Sequence, residues 1–177
     1  MLYNSKDMEA RAALDAAARI CAAARTAPKA KGIDHIHTLV LTDADKDAVA
    51  DAMERFGNAH EAGFFLRDAK NVREAAVLVL IGIREGVRGL NELCGYCHHA
   101  DCGACKAANG VCVYDPLDVG IALGSAAAAA ADCRVDSRIL FTAGRAAQEL
   151  GLMDEGVHLI YGLPLSITGK SPFFDRK

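Results

Sequence analysis

Five of the seven cysteines in this 177-residue chain fall within residues 94–112, spaced C-x2-C-x4-C-x2-C-x6-C. Those nineteen residues hold almost nothing large and apolar, so burial cannot order them. A stretch of that length without a core of its own is either disordered or functional. Thiolates gathered around a metal centre would supply the missing ordering free energy. The segment therefore reads as an insertion, with the rest of the chain building the body that carries it.

Composition fits a chain whose thiols serve metal or redox chemistry. Residues 1–9 are charged and lack an apolar core, so no secretory signal is expected. The longest near-apolar run, residues 119–131, lies between Asp118 and Asp132 and is short of the roughly 20 residues a membrane helix needs. The expectation is a cytoplasmic protein with no membrane span, where stable disulfides are disfavoured. With 20 Lys and Arg scattered among 23 Asp and Glu, the net charge of −3 offers no footprint for nucleic acid. At 52% hydrophobic the chain is too apolar to be disordered, and its length is that of a single domain, residues 1–177.

Periodicity outlines that domain. Ala13, Ala16, Ala17, Ile20, Ala24 and Ala27 fall on one face of a helix from about residue 5 to 27, opposite Asp7, Arg11, Asp15 and Arg19, and Pro28 stops it. Residues 35–41 read as a strand. Thr42 and Asp45 resemble a capping box opening a helix to about Phe56, with Gly57 as its stop. Residues 75–83 are continuously apolar, as a strand covered on both faces would be. A helix from about Pro116 to Cys133 is apolar apart from one thin line, Asp118, Ser125 and Asp132, and is expected to be buried. A short helix around residues 144–150 precedes a strand at 157–163, and residues 164–177 look irregular. Strands alternating with helices predict an α/β layered domain.

Two kinds of centre suit the cysteines. Tetrahedral zinc is served by paired C-x2-C knuckles, but zinc ribbons usually separate them by more than the four residues found here. An iron–sulfur cube is larger, and closely spaced cysteines plus a more distant one can wrap its corners. Glycines at 95, 103 and 110 would let backbone N–H groups approach the sulfurs. Five cysteines compete for four places.

The chain resembles a family of small bacterial and archaeal proteins described as containing a ferredoxin domain. The likeness covers most of the sequence. It rests on Ala27-Pro28, Phe64-Phe65-Leu66-Arg67-Asp68-Ala69-x-Asn71-Val72 and Cys94-Gly95-x-Cys97-x4-Cys102. It continues through Cys112, Asp118-x-Gly120-Ile121-Ala122-Leu123-Gly124-Ser125-Ala126 and Val135-Asp136-x-Arg138. The last block is Pro164-Leu165-Ser166-x-x-Gly169-Lys170-x-x-Phe173-Phe174-Asp175-Arg176. The resemblance implies a four-iron cluster on Cys94, Cys97, Cys102 and Cys112, leaving Cys105 spare. C-x2-C-x4-C is also similar to the opening of four-iron domains in electron-transfer and corrinoid proteins.

The order of elements further resembles the FMN-dependent nitroreductases. That likeness implies a nitroreductase-like α/β sheet flanked by helices, a homodimer built on a long central helix, and FMN at the subunit boundary. Lys170 and Arg176 are the candidate phosphate partners, since only fixed donors hold that charge. No G-x-G-x-x-G or P-loop is present.

Other candidates have plainer readings. His98 and His99 could ligate but read as a solvated pair, and His35 and His37 as packed or hydrogen-bonded imidazoles. Cys21 and Cys133 read as small hydrophobes, and Asp118 and Ser125 as structural groups on the long helix. The functional expectation is an iron–sulfur redox protein, for electron transfer to a partner protein or as a small oxidoreductase. The alternatives are a non-enzymatic module ordered by zinc, and a thiol sensor using Cys97, Cys102 or Cys105.

Overall fold

Asn4 starts the first helix, α1 (Ser5–Thr26), through a reciprocal cap: its side chain accepts from the Asp7 N–H, and the Asp7 carboxylate accepts from the Asn4 N–H. In the computed structural model, which describes residues 1–174, the buried face of α1 is Ala13, Ala16, Ala17, Ile20 and Ala24, the stripe its spacing predicts. Such small side chains let α5 (Tyr114–Asp132) lie close, and Ser125 Oγ donates to the Ala23 carbonyl across the contact at 3.0 Å.

Strands β1 (Ile36–Leu41), β2 (Val77–Arg84), β3 (Asp136–Ser137) and β4 (Val157–Ser166) form one sheet in the order β1-β2-β4-β3, with every pair antiparallel. Along β2 the side chains alternate between two cores. Val77, Val79, Ile81 and Ile83 join α1 and α5, whereas Leu78 and Leu80 face the second layer. That layer comprises α2 (Asp43–Ala59), α3 (Gly63–Glu74) and α6 (Phe141–Glu149). Every β2 residue up to Ile83 is buried, which explains its unbroken apolar run. The architecture is thus the α/β layered one expected. Neither core draws on any residue between Ile83 and Val119.

Several local expectations fail for reasons of packing. Thr42 does precede α2, but its side chain makes no capping bond. Buried Lys46, one turn on, reaches across to donate to the Val72 and Arg73 carbonyls at 3.1 Å, closing the end of α3. Gly57 lies inside α2 and does not end it: a Cβ there would stand 2.9 Å from Phe65 Cβ, so the glycine admits α3. Helix α5 is buried on one side only, with Leu117 50% and Ile121 39% exposed. The last strand runs on through Pro164 to Ser166. No helix among the described residues is long and apolar enough to cross a membrane.

Candidate metal centre

The chain leaves the sheet at Arg84 and re-enters the body at α5, and all five clustered cysteines lie on this connection. A 3-10 turn, Asn91–Leu93, leads to Cys94. Asp101 caps a six-residue helix, α4 (Cys102–Ala107), by accepting from the Ala104 N–H at 2.7 Å. Asn91, Gly95, His98 and Asn109 all take left-handed backbone angles, which fold the segment back on itself. Cys112 directly precedes Val113, the N-cap of α5.

The folding gathers Cys94, Cys97, Cys102 and Cys112 around one cavity, and Cys105 with them. None forms a disulfide. Cys105, the thiol that the sequence resemblance leaves spare, is the most deeply buried of the five, at 1% exposure. Burial pushes its pKa up, and a hydrogen bond with Cys97 adds to this, as does the proximity of Cys112 and Cys102. A Cβ at Gly110 would sit 3.1 Å from Cys105 Sγ, so this glycine is the floor on which the thiol rests. The Asn91 N–H donates to Cys102 Sγ at 3.4 Å. Tyr114 is hydrogen-bonded to Cys94, and burial together with that neighbour raises its pKa.

Donor chemistry decides what the site suits. Five sulfurs converge on a segment that contributes to neither core, and thiolates select zinc or iron–sulfur centres. The space enclosed between them is about 20 Å³, room for one water, so a larger group must spread the thiols. Among the described residues, no three His, Cys, Asp or Glu side chains are grouped to hold a single metal ion. The residues therefore fit a thiophilic group by donor type.

Behind this cavity lies a charged network that sequence reasoning missed. Arg88, 2% exposed, pairs with Asp115 and Asp118, each at 2.9 Å. Burial opposes the Arg88 charge, but Asp118 and Asp115 outweigh it and hold its pKa up. Its Nη1 also donates to the Gly86 carbonyl and lies 3.2 Å from His35 Nδ1. Burial and the Arg88 charge depress the His35 pKa. Asp115 Oδ2 accepts from the Gly86 N–H at 3.2 Å and meets His158 Nε2 at 3.3 Å. Asp118 also accepts from the Ala30 N–H at 3.1 Å, a structural role as expected. Nothing in the sequence marks Arg88: between Gly86 and Gly89 it reads as a solvated turn residue. A second cavity, of about 340 Å³, opens beside this network and shares Cys112 with the first; Lys106, Asp115 and His158 also line it.

The remaining candidates scatter. His99 lines the sulfur cavity while His98 is exposed, and His37 turns away to Asp154 at 3.2 Å. Cys21 and Cys133 pack against the α1–α5 core. Lys170 is exposed beyond the end of β4, which pairs with the start of β2 (Leu165 opposite Val77). The cysteine segment departs from the other end of β2, so Lys170 and the sulfurs stand at opposite ends of the sheet. Arg176 lies outside the described residues.

Residues 108–176 match a family described as "uncharacterized protein containing a ferredoxin domain". An uncharacterized protein of Archaeoglobus fulgidus is 36% identical over 184 residues, spanning 99% of this chain and 98% of its own. Solved structures share the fold at low identity. A nitroreductase with bound FMN from Desulfitobacterium hafniense DCB-2 matches with TM-score 0.60 at 14% identity, over 88% of this chain and 78% of that one. A BluB-like flavoprotein from Clostridium difficile 630 gives TM-score 0.56 at 16% identity, over 92% of this chain and 82% of that one. The fold is nitroreductase-like.

Proposed function

The chain belongs to the family of uncharacterized proteins containing a ferredoxin domain, and from that premise we propose that it is an iron–sulfur redox protein, its centre held by Cys94, Cys97, Cys102 and Cys112. The observation that carries this reading is the convergence of thiols on a segment outside both cores. We read residues 94–112 as an insertion within a single nitroreductase-like domain. When bound, a four-iron cluster supplies one-electron transfer. The chain's own part is to hold and bias it. The Asn91 N–H on Cys102 Sγ withdraws electron density from that sulfur, which favours the reduced state. Cys105, seated on Gly110 beside Cys97, fills the wall and keeps water out.

The α5 face supports a homodimer. Leu117, Gly120, Ile121, Gly124, Ala128 and Ala131 are all exposed on it and none carries a charge. A second copy would cover this surface, and Gly120 and Gly124, with open space above them, would let two such helices approach closely. FMN belongs to the same reading as a second cofactor at the subunit boundary, supported by the fold it shares with FMN-bound nitroreductases. A flavin there would make the protein a small oxidoreductase that splits electron pairs into single steps.

One observation favours a second reading. Cys97 and Cys105 are neighbouring thiols, so two-electron oxidation by a peroxide would join them as a disulfide, the peroxide leaving as water, which is the chemistry of a thiol sensor.

Purification without oxygen, followed by iron, sulfide, zinc and flavin analysis, separates these readings. A brown protein with about four iron and four sulfide per chain supports the cluster. A colourless one with one zinc supports a zinc-ordered module, and metal-free protein with a reversible Cys97–Cys105 bond supports the sensor. A flavin spectrum tests FMN separately.

A further inference from the structure

Among the described residues, one buried side-chain nitrogen in the sulfur cavity's wall has no hydrogen-bond partner. Arg88 lines the cavity, and its side chain is 1% exposed. Its Nη2 is committed to Asp118 and its Nη1 to the Gly86 carbonyl and His35, with Asp115 Oδ1 an ion-pair contact 2.9 Å from Nη1. Its Nε is buried and donates to no acceptor among the described residues. A buried N–H left unpaired costs free energy until an acceptor reaches it, so native proteins rarely keep one without a reason. Of the other orphaned buried side-chain atoms among the described residues, Asn71 Oδ1 and Ser171 Oγ lie near the chain end, and Asp115 Oδ1 faces the Nη1 side of the same guanidinium.

We propose that Arg88 Nε–H is a built-in hydrogen-bond donor to the metal centre, its acceptor an anionic sulfur, either a cluster sulfide or a cysteine thiolate. The proposal rests on the iron–sulfur reading. The guanidinium suits the task because its donors are fixed in one plane. Asp115 and Asp118 hold that plane through its Nη atoms, and neither accepts from Nε. They also decide which effect reaches the centre. Two buried carboxylates against one cation leave no surplus positive charge, so Arg88 acts through a directed hydrogen bond. Such a bond stabilises the more negative, reduced state and raises the reduction potential.

The test uses the full chain with its cluster assembled anaerobically. Wild-type protein is grown with 15N-arginine, reduced by one electron, and examined by pulsed electron paramagnetic resonance. Arg88 is the one arginine among the described residues lining the cavity, so a 15N coupling to the reduced centre is expected and is assigned to it. Arg88→Lys keeps the cation and removes Nε–H; it should lose the coupling and shift the midpoint potential to a more negative value. Should Arg88→Lys fail to fold, the labelled wild type decides alone. Protein that binds iron and sulfide but shows no nitrogen coupling overturns this proposal and leaves the cluster standing. Protein that takes up neither overturns both.

Discussion

Arg88 Nη2 lies 2.9 Å from Asp118 Oδ2, with neither side chain more than 2% exposed, and this pair fastens the connection carrying the cysteines to the helix that follows it. The same guanidinium meets Asp115 on that helix, one turn earlier. Removing it strands two buried carboxylates.

Arg88→Met should therefore lower stability by about 3–5 kcal/mol, the usual cost of leaving buried charges unpaired. A triple change adding Asp115→Asn and Asp118→Asn should recover part of the loss. Urea unfolding of the three proteins checks this; a loss under 1 kcal/mol in Arg88→Met would mean the network contributes little.

His35 gives the fold a pH dependence. Burial and the neighbouring Arg88 disfavour its cation, while Asp115 and Asp34 offset this only in part. Below the unfolded value of about 6.5, the unfolded chain takes up a proton that the folded one refuses. Stability should fall as pH drops below that point, and level off once the folded imidazole also titrates. His35→Gln should remove this component, so the difference between wild type and variant must change between pH 7.5 and 5.5. A constant difference refutes the assignment.

Cysteine variants test the proposed ligand assignment. Cys94→Ala should bleach the chromophore and loosen residues 94–112 in hydrogen exchange, whereas Cys105→Ala should keep the colour. The reverse pattern for Cys105 and Cys112 would reassign the fourth ligand.

The α5 face is tested by Ile121→Lys. The side chain is partly exposed, so the monomer should lose less than about 0.5 kcal/mol. Sedimentation should show a dimer for wild type and a monomer for the variant; a monomeric wild type would dismiss the second copy.

Gly144→Ala probes the join of α6 to the sheet. A Cβ there would fall 1.6 Å from the Ile160 carbonyl oxygen, a clash with backbone that no rotamer relieves. The expected cost is about 3 kcal/mol or more, by thermal melting.

Local patterns carried part of this structure. The alanine spacing of α1 and the unbroken β2 run state their burial directly, because each records how many faces are covered. Helix α3 escaped notice: Phe64, Phe65 and Leu66 stand side by side and blur the helical period, and Ala62 offers no capping side chain. Gly57 looked like a stop because its real partners, Phe65 and Leu66, belong to another helix. Helix α4 is too short to show a period. The cysteines announced themselves by spacing, whereas Arg88, Asp115 and His158 meet only through the tertiary fold and carry no local mark.

The Gly86 N–H bond to Asp115 brings the two stems of the cysteine-bearing connection together, and neither core reaches into what lies between. On the proposed insertion reading, the sulfur-bearing part is a cassette hung from a closed neck. A chimera that replaces residues 90–112 with a short glycine linker should retain the sheet and all its long helices, and the cassette itself is a natural unit for transplanting onto other scaffolds with a similar pair of stems.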